Sequence, residues 1–263
     1  MRFDLAPLYS PGTPMPFQQV AEQMAEEARF VEQIGFGGVW VGEHHFGTPN
    51  QDNGAPNPLT MLAWLAARTE SIRLGTMPIV LPDHHPVSVA EEAAMVDQVS
   101  CGRLDLSVGR GTNDRASGQF HAAALRKDDD TNYELFRESL EVIIGAWTQP
   151  ALRHDGRFFR FPEGRWREEN HRLREAQSRY YGPEGELVGL DVRPKPFQQP
   201  HPPVWLASEK LKSHQWAAER GYGAFPGACT ATAPARTGAP TGRSHHASKA
   251  GSCASASGWA CCR

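Results

Sequence analysis

The sequence predicts an α/β protein with a parallel sheet, and two patterns lead to this prediction. Short apolar runs alternate with longer stretches whose apolar residues recur every three or four positions, as they do on one face of a helix. The run Val39-Trp40-Val41 contains no polar residue, which is typical of a strand that is covered on both faces. Repeated units of this kind are typical of a sheet that carries helices on its faces.

The strand–helix units follow one another along the chain. The first helix is predicted over 17–34, because Val20, Met24, Ala28 and Val31 lie on one helical face and a glycine ends the pattern. The other helices are predicted over 59–68, 87–99, 131–147 and 210–220. The strands are predicted over 3–9, 39–41, 72–81, 104–108 and 203–207, with a sixth beginning at 222–225.

Two segments depart from this repetition. Residues 150–195 are rich in Arg, Glu, Tyr and Gly, and we interpret them as an excursion, either a lid or a variable surface insertion. Residues 226–263 have no periodic apolar set, so we expect the domain to span 1–225 and the rest to form a disordered tail. Because the composition changes abruptly after a well-formed strand, we favour a C-terminal part that is missing or out of frame.

The overall charge and hydropathy exclude several partners. The formal net charge is −3, which provides no attraction for nucleic acid or for an anionic membrane. No apolar run approaches the roughly 18 residues that span a bilayer. The N-terminal residues contain no apolar signal segment, so we expect a cytoplasmic protein.

Ionisable residues follow the second predicted strand. Glu43, His44 and His45 come directly after its buried run. Ligands bind at the carboxyl ends of parallel strands, and histidine is the side chain best suited to proton transfer near neutral pH. This segment is therefore predicted to form one edge of an active site.

The third predicted strand is interrupted by Pro78, and a proline within a central strand removes a hydrogen bond from the ladder. A cis Met77–Pro78 bond or a bulge would explain the proline, and either would present flat backbone to a planar ligand. The alternative is an edge strand without a functional role. His84 and His85 follow, either as polar groups at the mouth of the site or as loop residues without a partner.

Two further strand ends are candidates for anion binding. Arg110 lies between two glycines, where the backbone can approach a ligand and the guanidinium can bind phosphate. The strand at 203–207 runs into a helix whose N-terminus could bind an anion near Lys210 and Ser213. The alternative is that Ser208 merely caps this helix.

Metal binding is the competing chemistry at these strand ends. Two His-His pairs and nearby acids could form the site of a barrel hydrolase. Adjacent histidines on extended backbone point to opposite sides, however, and the familiar spacings of zinc-binding histidines are absent. No metal site is predicted.

Taken together, these segments resemble the bacterial luciferase-like flavin-dependent monooxygenase family. The resemblance runs in order over about residues 1–225 and rests on the segments 43–46, 75–82, 85–87, 97–104 and 109–111. It implies a TIM (β/α)8 barrel of the luciferase-like type that binds reduced FMN at the carboxyl ends of its strands. Only about strands 1–6 of such a barrel are expected in this chain.

The resemblance also implies roles for individual residues. His44 matches the catalytic histidine, Met77–Pro78 matches a cis peptide beneath the flavin ring, and Arg110 matches a phosphate-binding arginine. Lys210 departs from the family, which usually has a small hydroxyl residue at that position. The cofactor-binding residues implied by the resemblance are Glu43, Met77, Pro78, Arg110, Glu209 and Ser213.

The implied activity is oxygenation of a small organic substrate with reduced FMN and O2. Because the sequence has no Gly-x-Gly-x-x-Gly segment for a nicotinamide cofactor, a separate flavin reductase is expected as a partner. A deazaflavin cofactor and a homodimer stay open. The alternatives are a truncated flavin-binding or inactive family member without turnover, and a metal-dependent barrel hydrolase.

Overall fold

The structure is a computed structural model that describes residues 3–6, 15–46, 55–112, 114–164 and 166–225. Its strands are β1 (Asp4–Leu5), β2 (Gly38–Val41), β3 (Arg73–Thr76), β4 (Ile79–Val80), β5 (Leu104–Gly109), β6 (His154–Asp155), β7 (Arg160–Phe161), β8 (Val204–Ala207) and β9 (Gly223–Phe225). Its helices are α1 (Phe17–Gln33), α2 (Pro58–Ala66), α3 (Pro86–Val99), α4 (Asp114–Phe120), α5 (Asp129–Thr148), α6 (His171–Ala176) and α7 (Leu211–Glu219). Short 3-10 turns cover Leu81–Asp83 and Ala122–Ala124.

One parallel sheet organises the molecule. Its strands lie in the order β1, β2, β3, β5, β8 and β9, and β4 continues the ladder beside β5. Sequential strands are neighbours, and most are joined through a helix, as in the strand–helix repeats of a TIM barrel. The predicted α/β class, the parallel sheet and the six predicted strand positions are confirmed, and β1 and β9 lie at the two ends of the sheet.

Three aromatic rings show that this sheet is curled. Trp40 belongs to β2 and Trp205 to β8, and β3 and β5 lie between those strands, yet the two ring centroids are only 5.8 Å apart. Phe225 of β9 joins them at 5.7 Å from Trp40. Rings so far apart in the strand order can meet only on the concave side of a strongly curved sheet. Gly75 makes room for them, because a Cβ there would lie 2.2 Å from the Trp40 ring.

The convex side of the sheet is covered by helices whose apolar faces the sequence predicts. Val20, Met24, Ala28 and Val31 of α1 are all buried, as their spacing predicts. All six residues of β5 and all four of β2 are buried, so both faces of these strands are covered. This explains why β2 has no polar residue, while β5 buries Asp105 and Ser107. Long buried side chains such as Leu106 and Ile143 complete this core, where truncation to alanine costs about 2–5 kcal/mol.

The predicted strand over 72–81 is split at Met77 and Pro78. Gly75 lies opposite Asp105, whereas Ile79 lies opposite Val108, so four steps along this segment match three along β5. One extra residue in the ladder is a bulge, and the bulge interpretation is confirmed. The cis interpretation is wrong, because the cis bonds among the described residues precede Pro162, Pro194 and Pro200. The bulge leaves the proline without a ladder partner and therefore removes the need for a cis bond.

Several elements differ from the sequence prediction. Of the predicted strand over 3–9 only β1 is seen, and its last residues lie outside the described ranges. Helix α4 and the hairpin of β6 and β7 were missed because each is short and lacks a long apolar pattern. The segment 150–195 contains this hairpin and α6, which has no buried residue. The tail over 226–263 also lies outside the described residues.

Among the helices in the described part of the chain, none is both long enough and apolar enough to span a bilayer.

Candidate active site

The loop after β2 carries the predicted catalytic histidine. His44 is exposed, and its backbone nitrogen donates to the carbonyl oxygen of Ala55 at 3.1 Å. A Cβ placed on Gly42 would lie 3.5 Å from His44 Nε2 and 3.1 Å from the carbonyl oxygen of Met77. Both groups therefore lie directly beside this glycine, and the structure brings His44 and the Met77–Pro78 bulge together. An exposed imidazole in this position can accept or donate a proton.

Glu43 lies on the other side of this loop and has no exposed side-chain surface. Its Oε1 is 2.7 Å from His45 Nε2 and 2.9 Å from His84 Nε2, and its Oε2 accepts from the backbone nitrogen of Val80 at 2.9 Å. Burial disfavours the charged form of His84, but its hydrogen bond to Glu43 and the Glu43 charge outweigh burial, so the pKa of His84 is raised. The contacts to Val80 and His84 tie the loop after β2 to the bulged strand and to the turn that follows it.

Asp83 is a second buried carboxyl beside this group. It is only 9% exposed, Ser117 donates to its Oδ2 at 3.2 Å, and its Oδ1 has no hydrogen-bond partner among the described residues. Burial raises the pKa of Asp83 to about 6 and the negative charge of Glu43 adds to this rise, while the Ser117 hydrogen bond opposes it. Two carboxyl groups with different environments therefore share this part of the site.

Glu43 and its two histidine partners form the one potential metal-binding group among the described residues. Ligand atoms of Glu43, His45 and His84 all lie within 4.8 Å of one another, and two imidazoles with one carboxylate are ligands that zinc and iron accept. The sequence analysis weighed the two His-His pairs with nearby acids as a metal site and predicted none, and it did not single out His45 with His84, which come from different strand ends. His84 is therefore not a loop residue without a partner, and His85 packs edge-on against Phe159 at 5.9 Å.

An aromatic pair borders the same loop. The rings of Phe46 and Phe120 stack with centroids 5.5 Å apart, and the His45 ring meets Phe120 at 4.6 Å. The two phenylalanines remain 47% and 43% exposed, so they offer an apolar surface beside His45. Arg115 donates to the carbonyl oxygen of Phe46 and links α4 to this loop. Phe120 was missed by the sequence analysis together with α4.

Arg110 follows β5 directly, as predicted, and lies close to the bulge. A Cβ on Gly109 would be 2.7 Å from Pro78 Cγ, so the proline ring packs on the backbone just before Arg110. The guanidinium donates through Nε to Asn132 Oδ1 at 2.8 Å and through Nη2 to the Asp129 carboxylate at 2.6 Å. This guanidinium is thus anchored on α5 at the edge of the same surface.

Two more cations meet Arg110 at Asp129. Arg126 Nη2 is 3.1 Å from Asp129 Oδ1, and Lys210 Nζ is 3.4 Å from Asp129 Oδ2. Burial would raise the pKa of Asp129, but the hydrogen bond from Arg110 and the three positive charges outweigh it and lower that pKa. We call Arg110, Arg126, Lys210 and Asp129 the basic cluster. The sequence analysis missed Arg126, although the sequence shows two basic residues, Arg126 and Lys127, directly before the acidic start of α5.

The remaining predicted cofactor residues lie near the basic cluster. Glu209 is exposed just before α7, and Ser213 is half-buried in its first turn, where its backbone nitrogen donates to the Lys210 carbonyl oxygen at 2.9 Å. The Lys210 ammonium connects this turn to Asp129. The two sequence-predicted phosphate regions, after β5 and before α7, therefore converge.

The fold and these strand-end clusters define a luciferase-like barrel protein. A model of the family described as luciferase-like monooxygenase matches residues 1–254. The chain therefore belongs to the luciferase-like monooxygenase family.

Individual relatives agree with this assignment. The oxygenase component of a flavin-dependent trigonelline monooxygenase from Acinetobacter baylyi is 30% identical over 204 residues, 78% of this chain and 48% of that protein. The crystal structure of the monooxygenase RslO1 from Streptomyces bottropensis matches with a TM-score of 0.67 and 26% identity, over 85% of this chain and 59% of that one.

A third similar protein was solved with a flavin. The oxygenating constituent of 3,6-diketocamphane monooxygenase from Pseudomonas putida, in complex with FMN, matches with a TM-score of 0.64 and 22% identity. The match covers 85% of this chain and 56% of that one, and at this identity it shows the fold alone. The chain spans about half the length of the trigonelline monooxygenase component.

Proposed function

We propose that the protein is a flavin-dependent monooxygenase that uses reduced FMN and O2 to oxygenate a small organic substrate. The observation that carries this proposal is that His44 and the Met77 carbonyl oxygen both lie beside Gly42, while Pro78 packs on the backbone just before Arg110. A flavin would need backbone against its ring and cations for its phosphate, and the bulge and the basic cluster could supply them. Membership of the monooxygenase family supports the reaction class.

The described residues fit such a cofactor. Gly42 and Gly109 allow the Met77–Pro78 bulge to pack closely between the loop after β2 and the end of β5, because a Cβ at either position would lie within 3.1 Å of the bulge. The basic cluster carries three cations for one carboxylate, and Nε of Arg126 is buried without a hydrogen-bond partner among the described residues. An excess of positive charge with an unused donor suits a phosphate monoester, which carries about −1.5 to −2 charges at pH 7.

The chain's own residues would divide the chemistry as follows. Bound reduced flavin would supply the electrons that activate O2. His44, exposed beside the bulge, would donate or accept a proton at its ring nitrogen. Phe46 and Phe120 would exclude water from the reacting groups and hold an apolar substrate against that face.

A separate flavin reductase is proposed as partner, and one relative named as an oxygenase component supports it. The match covers only about half of that relative, so flavin binding without turnover is the first alternative. A metal-dependent hydrolase is the second alternative, favoured by the grouping of Glu43, His45 and His84. Purified chain that contains stoichiometric zinc would favour the hydrolase.

The test compares FMN binding by the wild-type chain and by Arg110→Ala, measured as quenching of flavin fluorescence. Loss of a charge-assisted hydrogen bond should weaken binding by about 10- to 100-fold. Arg160→Ala is the matched control, because Arg160 is 65% exposed and pairs with Asp155 on the β6–β7 hairpin. Oxygen consumption with a reductase and candidate substrates then separates a monooxygenase from a protein that only binds flavin. Wild-type chain without FMN affinity would contradict the proposal.

A further inference from the structure

Asp129 is the centre of the basic cluster and uses both of its carboxylate oxygens there. Its Oδ1 meets Nη2 of Arg110 at 2.6 Å and Nη2 of Arg126 at 3.1 Å, and its Oδ2 meets Nζ of Lys210 at 3.4 Å. These cations come from the ends of β5 and β8 and from the segment before α5, so only the folded chain brings them together. The Asp129 carboxylate is thus a shared anion for three separate segments.

One carboxylate is shared by three cations, so each cation has only part of an ion pair with it. The three cations form their ion pairs with Asp129, while Asp128, next to it, caps α5 by accepting from the backbone nitrogen of Thr131. The cluster also lies at the N-terminus of this 20-residue helix, where the helix dipole adds positive potential. A ligand with about two negative charges would neutralise the site better than Asp129 does.

Asp129 can leave the cluster without dismantling it. Its side chain is 49% exposed, whereas Arg110 is held independently by Asn132, which has no exposed surface. Asn132 accepts from Arg110 Nε at 2.8 Å and is itself fixed by donating to the Ala124 carbonyl oxygen at 2.7 Å. Arg126 is held by donating to the carbonyl oxygen of Gly111 at 2.7 Å. Both guanidinium groups would therefore keep their places when the carboxylate turns to solvent.

We propose that Asp129 is the resident anion of a phosphate subsite, and that a phosphate monoester binds by displacing this carboxylate from Arg110, Arg126 and Lys210. The inference rests on the proposed function only in taking the FMN phosphate as the natural ligand. In this arrangement the Lys210 ammonium would bind the phosphate in place of the Asp129 carboxylate. The opposing interpretation is that Asp129 positions Arg110 for the ligand, and the two interpretations predict opposite effects of removing its charge.

The experiment measures dissociation constants for FMN, riboflavin and inorganic phosphate in the wild type, Asp129→Asn and Lys210→Met. Asp129→Asn should bind FMN and phosphate about fivefold more tightly, because a competing exposed ion pair is gone. Lys210→Met should bind both more weakly by a similar factor. Riboflavin lacks the phosphate, so its affinity should not change in either variant. Asp155→Asn, which removes an exposed ion pair with Arg160, is the control and should change none of the three.

The outcomes separate this inference from the proposed function. Equal or weaker phosphate binding by Asp129→Asn overturns the inference, and unchanged binding by Lys210→Met overturns the role of Lys210. If flavins bind but phosphate affinity does not respond to Asp129→Asn, the proposed cofactor stands and the inference falls. If phosphate follows the expected pattern while neither flavin binds, the inference stands and the proposed function falls.

Discussion

Glu43 acts at the scale of single residues, and its contacts indicate how it contributes to the site. The side chain is buried and bonded to His45, His84 and the backbone of Val80. A carboxylate so fully committed has little capacity left for a ligand. We interpret Glu43 as the residue that holds the His44 loop against the bulged strand, which leaves the resemblance-based role in cofactor binding as a prediction.

Asp83, beside Glu43, leads to a prediction about pH. Its pKa is about 6 in the folded chain and about 3.9 when unfolded, so the folded state binds this proton more tightly. The stability supplied by the proton is present below about pH 4 and is lost as pH rises to about 6. Asp83→Asn, an isosteric mimic of the neutral acid, should therefore gain up to about 3 kcal/mol relative to wild type across this interval.

Urea unfolding of both proteins at a series of pH values measures this difference. A difference that stays constant between pH 4 and 6 would show that Asp83 ionises freely in the folded chain. Ser117→Ala supplies the control, because loss of the hydrogen bond that lowers the Asp83 pKa should move the transition to higher pH.

At the scale of elements, the sequence predicted what local pattern and chain order determine. Helix α1 and strand β5 carry their own apolar signal, and His44 and Arg110 were predicted as site residues because they follow buried strands. Contacts between different strand ends were not predictable, since nothing local to His45 refers to His84. Asp129 was missed for the same reason. Of its three cations only Arg126 is close to it in the chain, whereas Arg110 lies well before it and Lys210 far after it.

The bulge between β3 and β4 gives the prediction at this scale. Gly109→Ala would place a Cβ 2.7 Å from Pro78 Cγ, and a proline ring has no flexible end that can move away. The variant should lose about 1–3 kcal/mol of unfolding free energy from overpacking. In a Pro78→Ala background the opposing ring is absent, so the same change should cost far less. Both variants are measured by urea unfolding. If Gly109→Ala lowers the unfolding free energy equally in both backgrounds, the Pro78 ring is not packed against Gly109.

At the scale of the whole molecule, the curl of the sheet brings β2 and β4, which carry the His44 loop and the bulge, onto the same surface as β5 and β8. Trp40 and Trp205 report on this curl, because they touch edge-on at 5.8 Å across two intervening strands. Each ring is also tied down within the sheet: Trp40 donates to Asp4 at 3.0 Å and Trp205 to Asp105 at 3.3 Å. A contact between such distant strands exists only if the sheet is curved.

A double-mutant cycle tests whether this contact stabilises the curved sheet. Trp40→Leu and Trp205→Leu should each destabilise the chain, and the pair should lose less than the sum, with a coupling of about 0.5–1.5 kcal/mol. The coupling is expected because the second substitution removes a ring that has already lost its edge-to-face partner. Trp147 provides the comparison, since it lies on α5 and donates to the Ala90 carbonyl oxygen on the helical side. Trp147→Leu should add to Trp40→Leu without coupling, and a strictly additive Trp40–Trp205 pair would mean that the curvature is maintained by the helices alone.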